Sequence, residues 1–308
     1  MRGERGVHVG RDRWLFWLGD VGQVPRLYRR GPRDLLRIWR WRRLIARRTR
    51  RLGRLGVAYL QVFVPDKLTI YPDRTARRLA DPRRSFALAM ARTPGVVDLV
   101  APLRAARSSG ETYLRTDTHW THLGYVTAYR TLCAALGVAP APAVLDAAPL
   151  APVDVLLDLG SKLTPAETER FTPAEFARAA RRTEVNALAA YREARHGEAF
   201  APGFQTGSRA VYRNTAATDP RSVVVFGDSY AFHHQGLGPM LAEAFAEVHL
   251  LWSSGLDWGY IERVGPAVVV HETAERFARM FPRDGVDVEG LSEARVRSAT
   301  AAAGAQDG

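Results

Sequence analysis

The 308-residue chain has a single cysteine, Cys133. An internal disulfide is therefore excluded, and thiol content says nothing about compartment. No uninterrupted apolar run approaches the ~20 residues that a membrane-spanning helix needs. The opening stretch MRGERGVHVGRDRWLFWLGD carries charge but neither an apolar h-region nor a small-residue cleavage site, so it does not read as a secretory signal. Intracellular residence, a start codon placed elsewhere and carriage by a partner stay open on that ground. No internal repeat is visible, and no region is long and polar enough to leave the whole chain disordered.

Positive charge is abundant. The formal net charge is +12 and the pI about 10.5, which favours an anionic partner: nucleic acid, an acidic membrane surface or an acidic polysaccharide. The 46% hydrophobic content suits a sizeable core. Much of the charge gathers in DLLRIWRWRRLIARRTRRLGRLG. There Ile38, Trp41, Ile45, Leu52 and Leu55 mark one helical face, arginines crowd the rest, and Gly56 ends the run. Such a helix suits a membrane surface or nucleic acid, or lies on a sheet with its arginines in solvent.

Ahead of it, VHVGRDRWLFWLGD reads as a short hairpin turning at Arg11 to Arg13. Behind it, Val57 to Val64 reads as a buried strand closed by Pro65, and Val96 to Val100 as a second. Thr121 is the expected N-cap of a helix from His122 to Leu136, stopped by Gly137. Cys133 lies on that helix with Val126, Tyr129 and Leu136 at helical spacing, as buried filler. Residues 137–155 read as an Ala- and Pro-rich surface connection. Helical patterns over 164–195, with Thr172 before Pro173 as a helix start, predict a helical insertion near 140–205. RSVVVFGDSYAFHHQGLGPMLAEAFAEVHLLW predicts strand, tight turn, helix and strand. PAVVVHETAERF predicts one more strand and helix, with Glu275 and Arg276 as an ion pair at the sheet edge. Four apolar strands between helices define an α/β chain: a three-layer domain over 1–283 with a mainly parallel sheet, followed by a flexible tail over 284–308.

In parallel sheets the reactive groups gather at the carboxyl ends of strands. The strand Val223 to Phe226 runs straight into Gly227-Asp228-Ser229. A serine there sits at a helix start, where backbone N–H groups and the helix dipole can hold an oxyanion; capping by Asp228 or Ser229 is the competing explanation. The block is not the G-x-S-x-G elbow, because position 231 is alanine. A serine nucleophile needs a base. RTDTHWTHLGY supplies Asp117 and His119 close enough for the carboxylate to orient the imidazole. Asp117, His119 and His122 are not well spaced for zinc, since a helix beginning at His122 turns that ring away from His119, and no metal or other cofactor is expected.

Gly-Asp-Ser after a run of valines resembles the nucleophile block of SGNH (GDSL-type) hydrolases. The order, Asp-x-His-Trp first and Gly-Asp-Ser later, resembles the alginate O-acetyltransferase family (AlgJ and AlgX), whose members carry a permuted SGNH-like domain. VGRDRWLFWLGD, VFVPDKLTIYPD, TDTHWTHLGY, LDLGSKL, VVVFGDSYA and VVVHETAERF resemble that family's blocks in order, over roughly residues 7–281. The resemblance implies Ser229 as nucleophile, His119 as base and Asp117 as its orienting partner. It implies transfer of acetyl groups to an exported bacterial polysaccharide of alginate type, with an anionic acceptor. The acetyl donor would come from a membrane-bound O-acyltransferase partner, and the location would be the periplasm or cell envelope.

Asn214, Trp120, Tyr230 and His233 are candidates for oxyanion or substrate contacts. A serine esterase or deacetylase uses the same triad and differs only in the acceptor. A non-catalytic basic protein binding glycan or membrane on the same scaffold is the third reading. Nucleic acid is not the expected partner, because no recognisable module is present.

Overall fold

The computed structural model describes residues 6–19, 23–196 and 206–304. The end of the expected insertion (197–205) and the last four residues of the expected tail fall outside them. The chain divides into two compact units. One comprises Met1–Arg50, Gln61–Ala177 and Thr273–Phe281; the other comprises Arg51–Leu60, Arg178–Glu272 and Pro282–Gly308.

The first unit opens with the expected hairpin. Strands β1 (Val7–Val9) and β2 (Leu15–Trp17) pair antiparallel across a 3-10 turn at Arg11–Arg13. Val7 and Leu15 pack on Leu159, with Trp17 and Leu163 around them, so the LDLGSKL block serves as the floor of the hairpin. Helix α1 (Pro32–Arg54) buries Ile38, Trp41, Leu44, Ile45 and Leu52. Trp41 anchors it: the indole N–H donates to the Ala278 carbonyl at 2.9 Å, and its ring meets Phe63, Phe86 and Phe281 edge-on. Two expectations for this helix change. Leu55 lies exposed just beyond its end, and Arg48 is wholly buried in the row that was expected to be apolar.

Strand β3 (Ala58–Val64) follows as expected, then α2 (Lys67–Ile70), capped by Asp66, and α3 (Phe86–Met90). The strand expected at Val96 to Val100 is cut to β4 (Val96–Val97), parallel to β3. Its continuation is lost because the Asp98 carboxylate accepts the Val100 N–H at 2.8 Å and starts helix α4 (Val100–Ala106). Helix α5 (His122–Leu136) matches its expected bounds: Thr121 accepts the Gly124 N–H and Gly137 takes the left-handed conformation. Cys133 is buried on it, and burial pushes its thiol up to about 11, so it is packing rather than a nucleophile.

Among the described residues the expected helical insertion is α-helical only at its ends, Pro142–Leu145 and Ala187–His196, and its middle is a correction. After the short α6 (Pro142–Leu145) come two small ribbons: β5 (Ala148–Pro149) with β8 (Ala174–Glu175), and β6 (Val153–Leu156) with β7 (Thr168–Phe171). Thr172 and Pro173 link β7 to β8 instead of starting a helix. Helix-compatible residues extend here because β7 must alternate. Glu169 turns inward to three hydrogen-bond donors while Thr168 and Arg170 face solvent.

Glu275 is also corrected. Its buried carboxylate does not pair with Arg276; it accepts the N–H groups of Asp66 and Ala87 and the Thr69 hydroxyl. Burial raises its pKa from the ordinary 4.5 to about 7 against those donors. The folded chain thus keeps this proton up to about pH 7, while the unfolded chain sheds it near 4.5. Across that window the folded state binds more protons, so this group's contribution to stability falls as pH rises, by on the order of 3 kcal/mol. Urea midpoints at pH 5 and 7.5 should show that fall in the native chain and a flatter profile in Glu275→Gln.

The second unit holds β9 (Arg181–Val185), α7 (Ala187–His196), β10 (Arg209–Arg213), β11 (Asp219–Gly227), α8 (Ser229–Phe232), α9 (Leu237–Ala244), β12 (Phe245–Trp252), α10 (Trp258–Val264), β13 (Val268–Ala274) and α11 (Val288–Gly304). Strands β3 and β13 each run from one unit into the other. Strand β11 is parallel to β12 and β13; β10 is antiparallel to β12, and β9 to β10. The class is α/β as expected, with a parallel centre and an antiparallel edge. Val223 to Phe226 and Val268 to Val270 are all buried, the near-continuous apolar run of strands covered on both faces.

The expected flexible tail is instead ordered over α11. Val288 N–H donates to the Asp257 carboxylate, and the buried Ser292 hydroxyl accepts the Leu188 N–H. Two buried contacts one helical turn apart hold a segment whose composition alone suggested fraying.

Candidate active site

In the first unit, residues 112–121 form a closed turn. An antiparallel bridge joins Tyr113 to Trp120, with Leu114 N–H on the His119 carbonyl and Thr121 N–H on the Thr112 carbonyl. The turn presents the pair that the sequence singled out. Asp117 Oδ1 lies 2.7 Å from His119 Nδ1 and 3.0 Å from the His119 backbone N. A proton on Nδ1 given to this carboxylate leaves the basic lone pair on Nε2, the tautomer a general base requires. Burial raises the Asp117 carboxyl, but the His119 ring, the His119 N–H and the charge of Lys67 outweigh it and hold it well below the usual carboxylate range. The carboxylate therefore stays ionised beside the imidazole at any physiological pH.

Sequence reasoning missed the groups that fix this turn. The buried Lys67 ammonium donates to the carbonyls of Leu15, Leu114, Arg115 and Asp117. Burial pulls it down to about 8, opposed by the charges of Asp117, Glu169, Asp66 and Asp158. From the other side, Glu169 accepts the N–H groups of Arg115 and Thr116 and the Thr116 hydroxyl, while the Thr116 carbonyl takes Leu159 and Gly160 N–H. Backbone donors and acceptors from Leu114 to Asp117 are thus largely taken by two buried charges of opposite sign. One signal was available: Lys67 and Lys162 are the only lysines among 44 basic residues. A compact ammonium can converge on several carbonyls where a planar guanidinium cannot.

In the second unit, β11 delivers Ser229 at its carboxyl end as the first residue of α8. Asp228 is the cap, accepting the Tyr230 N–H at 3.2 Å, so the helix does not need the Ser229 hydroxyl for that role. The Asp228 N–H is itself tied to the buried Glu272 carboxylate at 2.9 Å. Gly227 has to be glycine: a Cβ there would stand 2.8 Å from both Ala231 Cβ and Glu272 Oε2. Helix α8 has only four residues. The expected contribution of the helix dipole is therefore small, and the Tyr230 N–H of the first turn is already taken by Asp228.

The remaining candidates divide. Asn214 is corrected as an oxyanion donor. Its amide donates to the Ala242 and Glu243 carbonyls, and its oxygen accepts the Ala216 N–H. It also sits beside Ala246, at the start of β12, whereas β11 reaches Gly227 beside Trp252. Those six residues of strand put it roughly 20 Å away, at the other end of the sheet. Trp120 is core: only 2% of its surface is exposed, and its ring packs edge-on against Tyr113 and Tyr125, leaving no face for a sugar. The Tyr230 ring is likewise buried. His233, just past α8, accepts the Gln235 N–H on Nδ1 and lies with its ring 4.4 Å from that of His234. Among the described residues no group of three or more His, Cys, Asp or Glu side chains is placed to hold a metal ion.

A serine delivered by a parallel strand into a Gly-Asp-Ser turn, on a chain that also holds a partly buried Asp-His pair, defines the hydrolase-like α/β class. The particular family follows from comparison. The family described as SGNH hydrolase-like domain, acetyltransferase AlgX, matches residues 7–261, and the chain belongs to it. The probable alginate O-acetylase AlgJ of Pseudomonas aeruginosa is 34% identical over 136 residues, 42% of this chain. Its counterpart in Pseudomonas syringae is 32% identical over 141 residues. The chain spans about a third of the length of these curated relatives (33% and 34%). The fold is shared with the O-acetyltransferase domain of Pseudomonas putida AlgJ (TM-score 0.55, 18% identity, covering 90% of this chain and 94% of that one). It is also shared with Bacillus cereus PatB1 (TM-score 0.62, 14% identity, covering 87% of this chain and 95% of that one).

Proposed function

We propose that the chain is an O-acetyltransferase that moves acetyl groups onto hydroxyls of an anionic polysaccharide of alginate type through an acetyl-serine. The observation that carries this reading is the partly buried Asp117–His119 hydrogen bond of 2.7 Å, a carboxylate held ionised against an imidazole in a chain that also carries a strand-end serine. Ser229 Oγ attacks the acetyl carbonyl of an ester donor as His119 Nε2 takes its proton. The tetrahedral adduct collapses, the donor's alcohol leaves with that proton, and acetyl-Ser229 remains. A sugar hydroxyl then attacks, its proton goes to His119, and collapse releases the sugar acetate and restores the serine. Asp117 keeps the tautomer and supports the imidazolium in both halves. The Ser229 backbone N–H is the proposed oxyanion donor.

The AlgJ relatives, named as probable alginate O-acetylases, support a uronate acceptor, and the +12 charge suits one. We place the reaction at the cell envelope, with a membrane-bound O-acyltransferase as acetyl supplier. No helix among the described residues is long and apolar enough to cross a membrane.

An esterase differs only in using water as acceptor. Incubation with an activated acetyl ester and graded oligouronate separates the two. Transfer predicts acetylated oligouronate that grows with acceptor at the expense of free acetate. Acetate release indifferent to acceptor contradicts it.

A further inference from the structure

Helix α1 has an outward face that the proposed chemistry does not use. At 3.6 residues per turn, Leu35, Leu36, Trp39, Arg43, Arg47 and Arg50 share one side, opposite the buried row of Ile38, Trp41, Leu44 and Ile45. Leu35, Leu36 and Trp39 are 54%, 54% and 50% exposed, a large apolar cluster to leave in water. Arg43 lies over the Trp39 ring at 4.8 Å, and Arg47 and Arg50, both exposed, continue the row. The one acidic residue of the helix, Asp34, is tied to Arg37 at 2.7 Å. Beside this face runs an open groove of about 620 Å³, lined by Arg42, Ala46, Thr49, Arg50, Arg92 and Pro94 among others. Arg50 and Arg92 have no hydrogen-bond or ion-pair partner among the described residues.

We infer that this face and groove dock on a bilayer containing anionic phospholipid, with Leu35, Leu36 and Trp39 entering the headgroup boundary and the arginines meeting lipid phosphates. The observations converge on that occupant by complementarity. A row of exposed cations on a helix whose one acid is already tied to Arg37 fits an anionic surface. An apolar cluster at the end of the same row, with tryptophan in it, needs an interface that also offers hydrocarbon. A nucleic-acid backbone meets only the first need. A second copy would set the same cationic row against itself. The inference stands apart from the acetyl-transfer reading.

The test is sedimentation of the full chain with vesicles of phosphatidylcholine alone and of phosphatidylcholine with phosphatidylglycerol, at low and high salt. Binding is expected to the anionic vesicles only and to weaken with salt. Reversing Arg43, Arg47 and Arg50 to Glu should weaken it by about 100-fold, at roughly fivefold or slightly less per arginine. Leu35→Ser, Leu36→Ser and Trp39→Ser together should weaken it about 10-fold or more. All six positions are on the surface, so circular dichroism and activated-ester turnover should be unchanged in both variants. Equal binding to neutral vesicles, or native affinity in the charge-reversed variant, overturns the inference. So does unchanged vesicle binding in the serine variant together with equal affinity for duplex DNA, which marks a polyanion patch. Quenching of tryptophan emission by brominated lipid is a second readout; it should fall in Trp39→Phe, and equal quenching in both proteins counts against insertion.

Discussion

Ser229→Ala is expected to lower turnover of an activated acetyl ester by about 10⁴-fold or more, and His119→Ala by a similar factor. The physical reason is that in the proposed mechanism neither group acts alone. An un-ionised serine hydroxyl is a weak nucleophile, and an imidazole with no hydroxyl to deprotonate adds little to a bound ester. The double variant should therefore be no slower than either single one, within a few-fold. Asp117→Asn should fall in the same range. Its side-chain N–H would face His119 Nδ1, favour the opposite tautomer and leave the imidazolium without its counter-charge, although the 2.7 Å contact could persist. Effects that multiplied, each single loss small and the double loss large, would mean independent roles and would remove the acetyl-serine account.

The second large effect concerns folding. Lys67→Met should destabilise the chain by about 3 kcal/mol or more, read from urea denaturation. Methionine fills a similar volume, but four carbonyls lose a shared donor inside the first unit. Lys67→Arg should rescue little, because a planar fork cannot aim at carbonyls spread over Leu15, Leu114, Arg115 and Asp117. A loss under about 1 kcal/mol would show that the turn around Asp117 is held by Glu169 and its own hydrogen bonds instead.

How much of this was legible in the sequence depended on whether local rules decided the matter. The bounds of α5 were, because Thr121 and Gly137 cap it by chemistry internal to the segment. The strand into Gly227 was, because an unbroken valine run has few other homes. Asp117 and His119 were, because two residues of separation let carboxylate and imidazole meet within a single turn.

The misses were long-range. Glu169 forces β7 to alternate because its donors lie at Arg115 and Thr116. Tail residue Val288 is held by Asp257, and Lys67 by carbonyls 47 to 52 positions away. Asn214 lies within 15 residues of Ser229 in the chain, yet β11 carries the serine the length of the sheet away from it. Proximity in sequence misleads wherever a strand intervenes.

The most direct test of the central claim is intact-mass and peptide-mapping spectrometry after brief exposure to an activated acetyl ester. The account predicts one acetyl group on the native chain, mapped to the peptide carrying Ser229, persistent in the absence of an acceptor glycan and missing from Ser229→Ala. An acetyl group on another residue, or equal labelling of the native chain and the Ser229→Ala variant, would contradict it.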